Sequence, residues 1–361
     1  MADSVETKSR QQIVNEFFKR GHVLTEEALD IIEESGVIPD VKLPAIVRAA
    51  DLRKPYKILS TITSKKTDLA TEDFVRFYNS KYEKMRDIIA ARLPKNYISL
   101  NKIDGTRSEV YVIGIVRDIK EKDGKKIIDL EDKTATIPVI FEPADADDLE
   151  LDDVVAVKAI SGGKVLFGKK VMYPDIPLRQ PVHGTGRACF VSNLHIDEAP
   201  QREVERFFEW FSGQDIQYLF VAGGVGDTAA FEKLVDRYCY TKTVFAASDE
   251  YPGVPDSYTS TRIVPLSNPA LVEVGGLKVL VVKHGDIAML KKRHLGKANA
   301  VTDEDQLTIE EVPDVMHTGG ASAPVLTNYK SVTLVNSGSM LGEFHPIVVD
   351  FATRDAEKIN L

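Results

Sequence analysis

The sequence predicts a multidomain α+β chain in three parts: an N-terminal helical module, a five-stranded β-barrel and a C-terminal α/β sandwich. Three changes of texture carry this reading. Apolar residues recur at helical spacing up to about Arg92, short β-rich runs parted by turn residues extend to about Pro177, and apolar strands alternate with helix-like segments from His183 onward. A chain of 361 residues exceeds one typical domain. The boundaries fall at residues 1–95, 96–180 and 181–361.

In the first part, RQQIVNEFFKRG places Ile13, Val14, Phe17 and Phe18 at helical spacing, with Gly21 suited to a C-cap. Thr25 opens LTEEALDIIEESG, which has Glu26, Glu27 and Asp30 towards its N-terminal half and Gly36 closing it. A third amphipathic run, EDFVRFYNSKYEKMRDIIAARL, precedes Pro94, and the Lys-rich stretch from Lys54 to Lys66 reads as a linker. QQIVNEFF is also close to the Gln-x-x-aliphatic-x-x-aromatic-aromatic pattern of sliding-clamp-binding peptides, although its phenylalanines equally fit a plain helix core.

The middle part contains EVYVIGIVRDI, KKIIDLED, ATIPVIFEP, DDVVAVKAI and KVLFGKKVMYP, parted by KDGK, EPADADDLELDD and SGGK. Five strands with such turns point to an OB-type barrel. Barrels of that kind hold single strands on aromatic platforms in a basic groove. Here the aromatics are sparse (Tyr97, Tyr111, Phe141, Phe167, Tyr173) and acidic residues crowd Glu142 to Asp153, so the barrel reads as a packing or protein-contact element.

Charge agrees with that reading. The formal net charge is -9 and both signs are spread along the chain, whereas a protein that grips nucleic acid by itself displays a basic face. No stretch approaches the ~20 apolar residues of a membrane span, and the first residues lack the apolar core of a secretory signal, so a cytoplasmic protein with no membrane partner is expected. Cys189 and Cys239 belong to no C-x-x-C pair and are expected to be buried thiols.

In the third part ACFVSNLH, QYLFVAGG, KTVFAAS, LKVLVVKHG and SVTLVNSG are strand candidates, with QREVERFFEWFSG and DTAAFEKLVDRYCY as helices between the early ones. Near-continuous apolar strands imply a sheet covered on both faces, and chemistry then sits at the strand ends. Those ends offer Asn193 and His195, then Gly223, Gly224 and Asp227, then Ser248, Asp249 and Glu250, then His284 and Asp286, then His317 and Ser322. A hydrolytic two-metal centre needs several carboxylates and histidines to balance dications only ~4 Å apart. These ends are thin by that measure.

The ordered series VSNLHID, VAGGVGD, AASDEYP, LSNPALVEVGGLKVLVVKHGD, PDVMHTGGASAP and VTLVNSGSM resembles the calcineurin-like phosphoesterase domain in the small subunit of archaeal family D DNA polymerase. The resemblance covers roughly the C-terminal half, and the helical module and barrel match that subunit's layout. It implies a metallophosphoesterase-like sandwich whose metal site has degenerated. The family's Asp-x-His falls on Asn193 and His195, and its Gly-Asp on Gly223 and Gly224. Its Gly-Asn-His-Asp falls on Ala246, Ala247, Ser248 and Asp249. The later His-Gly survives as His284 and Gly285, and the final Gly-His-x-His falls on Gly319, Gly320, Ala321 and Ser322.

Two imidazoles and an amide cannot offset two dications, whose mutual repulsion at ~4 Å is roughly 16 kcal/mol at an effective dielectric of 20. The resemblance therefore implies no bound metal or other cofactor and no catalysis. It implies instead a structural accessory subunit that scaffolds the large catalytic subunit of a DNA polymerase and meets DNA only through that complex. Two rivals stand beside it: a residual or repurposed metal-dependent phosphodiesterase using Asp227, Asp249, Glu250 and His284, and an OB-fold single-strand binder.

Overall fold

The computed structural model describes residues 10–35, 45–47, 56–66, 68–94, 97–296, 304–321 and 323–361. Gly36, Lys54 and Ser322, named above, lie outside the described residues. The chain divides into two compact units, Met1–Lys57 and Ile58–Leu361.

In the first unit, helix α1 (Arg10–Lys19) buries Ile13 and Phe17 against Ile32 of helix α2 (Glu26–Ser35), with Leu24 and Leu29 alongside. Gly21 takes a positive φ of 84°, and the turn closes with its amide donating to the Phe18 carbonyl at 3.0 Å, as a C-cap requires. Thr25 Oγ1 accepts the Ala28 amide at 3.3 Å and so opens α2. The unit is not purely helical, because Val23–Leu24 (β1) pairs in parallel with Ile46–Val47 (β2).

Strand β3 (Tyr56–Thr61) runs where the Lys-rich linker was expected. The lysine count concealed a β-prone core, Tyr-Lys-Ile-Leu-Ser-Thr, and an edge strand tolerates lysine because one side of it faces water. Helix α3 (Thr71–Ala90), which the sequence reading grouped with the N-terminal module, packs Tyr82, Met85 and Ile89 on the outside of the barrel, against Ile113, Ile115, Val154 and Ala156.

The barrel is closed. Its strands are β4 (Glu109–Lys122), β5 (Lys125–Glu131), β6 (Thr136–Phe141), β7 (Val154–Ser161) and β8 (Leu166–Met172), in the order β4-β5-β6-β8-β7, with β7 returning to β4. All five expected runs are strands. The KDGK turn puts both Asp123 and Gly124 at positive φ, the geometry that joins two twisted antiparallel strands tightly. Every second side chain points inward, and Val112, Val116, Ile128, Leu130, Val139 and Leu166 fill the interior.

After the barrel come β9 (Arg187–Val191), α4 (Gln201–Ser212), β10 (Tyr218–Val221), α5 (Thr228–Tyr238), β11 (Thr243–Ala247) and β12 (Ile263–Leu266). Next are β13 (Ala270–Val274), β14 (Leu277–Val282), α6 (Ile287–Lys292), β15 (Val315–Thr318), β16 (Val325–Tyr329), β17 (Val332–Asn336), β18 (Ile347–Asp350) and β19 (Ala356–Lys358). They form two six-stranded sheets, ordered β12-β11-β10-β9-β18-β19 and β16-β17-β15-β14-β13-β3. Strands β9 to β12 run parallel, as do β14, β15 and β17.

Alternation along β9 shows how the core divides. Cys189 and Val191 face α4 and α5, where Phe207, Phe208, Phe211 and Phe231 are wholly buried. Phe190 faces the other way, stacks on Phe220 at 5.2 Å and meets His317 of β15 edge-on at 5.1 Å, so the two sheets touch across this layer. Burying each large apolar side chain contributes about 1.5–3 kcal/mol. Cys189 and Cys239 are buried and unpaired within this core.

The acidic stretch Glu142–Asp153 has a structural task inside the second unit. Lys291 Nζ reaches Asp148 at 2.6 Å, and Lys292 Nζ reaches Glu150 at 2.7 Å and Asp153 at 3.0 Å, which fastens the barrel to α6. Among the described residues no helix is long and apolar enough to cross a membrane.

Candidate functional site

The parallel strands β9, β10 and β11 end at Val191, Val221 and Ala247, and the residues singled out above lie on the loops that follow. The first two loops run side by side. The amides of Asn193, His195 and Ile196 donate to the carbonyls of Gly223, Gly224 and Val225 at 3.0, 2.8 and 3.0 Å. Asn193 and His195 both sit at positive φ, as do Gly223 and Gly224. That curvature needs glycine or a tolerant polar residue.

Gly224 has a second reason to be glycine. A Cβ built on it would stand 2.5 Å from the Cα and 2.6 Å from Oδ1 of Asn193. The Asn193 amide group is buried and directed at the Gly338 carbonyl at 3.5 Å.

The remaining strand-end carboxylates are engaged with the chain itself. Asp227 caps α5, accepting the amides of Ala229 at 2.9 Å and Ala230 at 3.0 Å. Asp249 Oδ1 accepts the amide of Gly224, and also that of Val225 at 3.3 Å. Glu250 pairs with Lys65. Asp286 caps the short α6 through the Ala288 amide at 2.8 Å.

Ala247 and Ser248 are buried, and the Ser248 hydroxyl donates to Asp256 at 3.3 Å. Desolvation raises the Asp256 carboxyl above its ordinary pKa. His284 packs edge-on to Tyr251, and a Cβ on Gly320 would overlap its ring. Partial desolvation, with Lys283 adjoining, lowers its pKa. His195 lies on the loop after β9, half-buried. His317 belongs elsewhere: it is fully buried between the sheets, where its ring meets Phe190 edge-on.

Several residues that hold the strand ends escaped the sequence reading. Asn268 donates from Nδ2 to the Ser248 carbonyl at 2.8 Å and accepts the Lys283 amide at 2.9 Å, joining the ends of β11, β12 and β14. Ser337 Oγ accepts the Ser192 amide at 2.8 Å. Asn336 Nδ2 donates to Thr318 Oγ1 and the Gly319 carbonyl at 3.1 and 3.0 Å. The terminal NSG was the available signal for the last two; Asn268 and Lys283 had none beyond their place after a strand. Among the described residues no three His, Cys, Asp or Glu side chains converge as a metal site would require.

No family model matches the chain. It is similar to the DNA polymerase II small subunit of Methanothermobacter thermautotrophicus, at 26% identity over 88% of this chain and 83% of the relative. The same-named subunit of Archaeoglobus fulgidus is 26% identical over 91% and 81%, and that of Thermoplasma acidophilum 25% over 91% and 86%. Among solved structures, vacuolar protein sorting 29 from Cryptosporidium parvum covers 49% of this chain at 16% identity with a TM-score of 0.31, too slight a likeness to bear on the fold.

Proposed function

We infer that this chain is the small, accessory subunit of a family D DNA polymerase of archaeal type, and that its task is to scaffold the large catalytic subunit. The observation that carries the inference is the extent of the likeness: three archaeal small subunits match it over 88–91% of its length, so the similarity spans barrel and sheets together rather than one common domain.

Within that reading we assign the helical module to the first unit alone, since β3 joins the second sheet and α3 packs on the barrel, residues 96–180 to an OB-type barrel and 181–361 to a degenerate calcineurin-like phosphoesterase sandwich. The closed five-stranded order supports the second assignment. The convergence of parallel strand ends from two six-stranded sheets supports the third.

The residues at those strand ends do not fit a two-metal centre. Gly224 leaves no room for a carboxylate, Gly320 is filled by the His284 ring, and Asn193 offers an amide already directed at Gly338. Asp227 is a helix cap, Asp249 is bonded to backbone amides and Glu250 to Lys65, which removes the carboxylates a repurposed hydrolase would need. His195 and His284 remain, too few to hold a metal pair.

A sliding-clamp peptide in α1 would have to present Phe17, which is 1% exposed in the core of its unit. The exposed Phe18 is the only aromatic of that pair available to a partner. Against a single-strand-binding role for the barrel stands its acidic stretch, in which Asp148, Glu150 and Asp153 pair with Lys291 and Lys292 of α6, and the barrel is read as a packing element.

Co-expression with the large polymerase subunit of the same organism tests the proposal. A complex that survives gel filtration is expected, unchanged by His195→Ala or His284→Ala. A chain that stays alone, or a manganese-dependent diesterase activity that disappears with His284→Ala, would overturn it.

A further inference from the structure

Gly223, Gly224 and Val225 are all buried. Their carbonyls are satisfied by the loop after β9, but the amides of Gly224 and Val225 point the other way, and buried amides without an acceptor are costly. Both meet one atom, Asp249 Oδ1, on the loop after β11. With Gly223 and Gly224 at φ of 75° and 69°, these amides line a concave backbone nest of the kind that binds small anions. The anion in it is the chain's own. Asp249 is held there from the second sheet as well, because Lys283 Nζ, just beyond β14, donates to the Asp249 carbonyl. Asn268 fixes the same two loops through Ser248 and Lys283.

We propose that the Gly224–Val225 nest is an oxyanion site filled internally by Asp249, and that this carboxylate clasps the loop after β10 to the loop after β11 without a metal, while the main-chain carbonyl of Asp249 takes Lys283 from the loop after β14. The inference rests on reading the strand ends as metal-free. It makes Asp249 a structural hub, and it names the ligand class the nest takes when Asp249 is removed: a small carboxylate or inorganic phosphate.

The experiment is hydrogen exchange and thermal unfolding of the full chain as wild type and Asp249→Ala, with and without formate, inorganic phosphate and EDTA. In Asp249→Ala the Gly224 and Val225 amides should exchange roughly tenfold faster or more, with a lower Tm. Formate or phosphate should restore both, and chloride should not. Should Asp249→Ala fail to fold, Lys283→Met, which frees only the supporting ammonium, should accelerate the same two amides. Unchanged exchange at Gly224 and Val225, or acceleration that no small anion reverses, would overturn the clasp and leave the metal-free reading standing. A wild-type Tm that falls in EDTA would overturn the metal-free reading itself, and the clasp with it.

Discussion

Asn193 and Gly224 stand so close that a β-carbon on the glycine would lie 2.5 Å from the Cα of Asn193. The loop after β10 therefore follows the loop after β9 at a separation only glycine permits, at a φ of 69° that other residues adopt with strain. Gly224→Asp, the substitution that would put a carboxylate back where the resemblance expects one, should lower stability by roughly 2–4 kcal/mol and yield no diesterase activity. Urea denaturation with a model diester assay checks both parts.

Asp227 stands at a strand end that a repurposed hydrolase would use for a metal ligand, yet its carboxylate meets two amides of α5. Asp227→Ala should cost about 1 kcal/mol, the usual value of an N-cap, and Asp227→Asn considerably less. Chemical denaturation of the two variants separates a cap from a charge-dependent ligand, for which the asparagine would be as damaging as the alanine.

Both cases show what kind of information the sequence held. The strands were readable from two patterns: β9 to β11 are near-continuous apolar runs buried on both faces, with Cys189 and Val191 to one side and Phe190 to the other, while a barrel strand such as β6 alternates buried and less buried residues. Asn193, Gly224 and Gly320 stand out in the sequence only through the ligand pattern that the resemblance implies. The partners of the carboxylates were not readable, because a capping aspartate, a nest-filling aspartate and a metal-bound one share a residue type and a place after a strand. Strand β3 was hidden for the opposite reason: its lysine suits an edge position, which composition alone treats as linker.

His317 sits wholly buried against Phe190, and burial pushes its pKa down from 6.5 to about 3. The unfolded chain then binds a proton that the folded chain refuses, so this residue's contribution is full above pH 6.5 and is lost as pH falls towards 3. The loss should approach ~1.4 kcal/mol per pH unit in that window. Urea midpoints measured from pH 7 downward should fall more steeply for the wild type than for His317→Leu, which removes the titrating group and keeps the core apolar.

Phe17 and Phe18 are neighbours in sequence and opposites in environment, 1% and 72% exposed. Phe17→Ala should destabilise the first unit by ~3–5 kcal/mol, enough to unfold so small a core, while Phe18→Ala should stay within ~0.5 kcal/mol. Limited proteolysis of the N-terminal region reads the difference. A clamp-binding peptide would give the reverse pattern, with both phenylalanines free to leave and neither needed for folding.

The acidic stretch before β7 invites two explanations, repulsion of DNA or attachment to the rest of the chain, and its partners distinguish them. Lys292 and Asp153 meet at 3.0 Å with side chains only 16% and 12% exposed, whereas Lys291 and Asp148 meet at 2.6 Å with 34% and 69% exposed. Water screens the outer pair, so its coupling should be weak. The inner pair is shielded, and burial already raises the Asp153 carboxyl above its usual pKa, so removing Lys292 would leave a desolvated carboxyl with no cation. A double-mutant cycle on Lys292→Met and Asp153→Asn should give a coupling above ~1 kcal/mol, and the same cycle on Lys291 and Asp148 should give less than half of it. If the stretch serves attachment, Lys292→Met loosens the junction of barrel and sheets, visible as faster exchange along β7 and α6, and Asp148→Asn leaves retention on single-stranded DNA unchanged. Strong retention produced by Asp148→Asn alone would show that the charge acts outward, on nucleic acid.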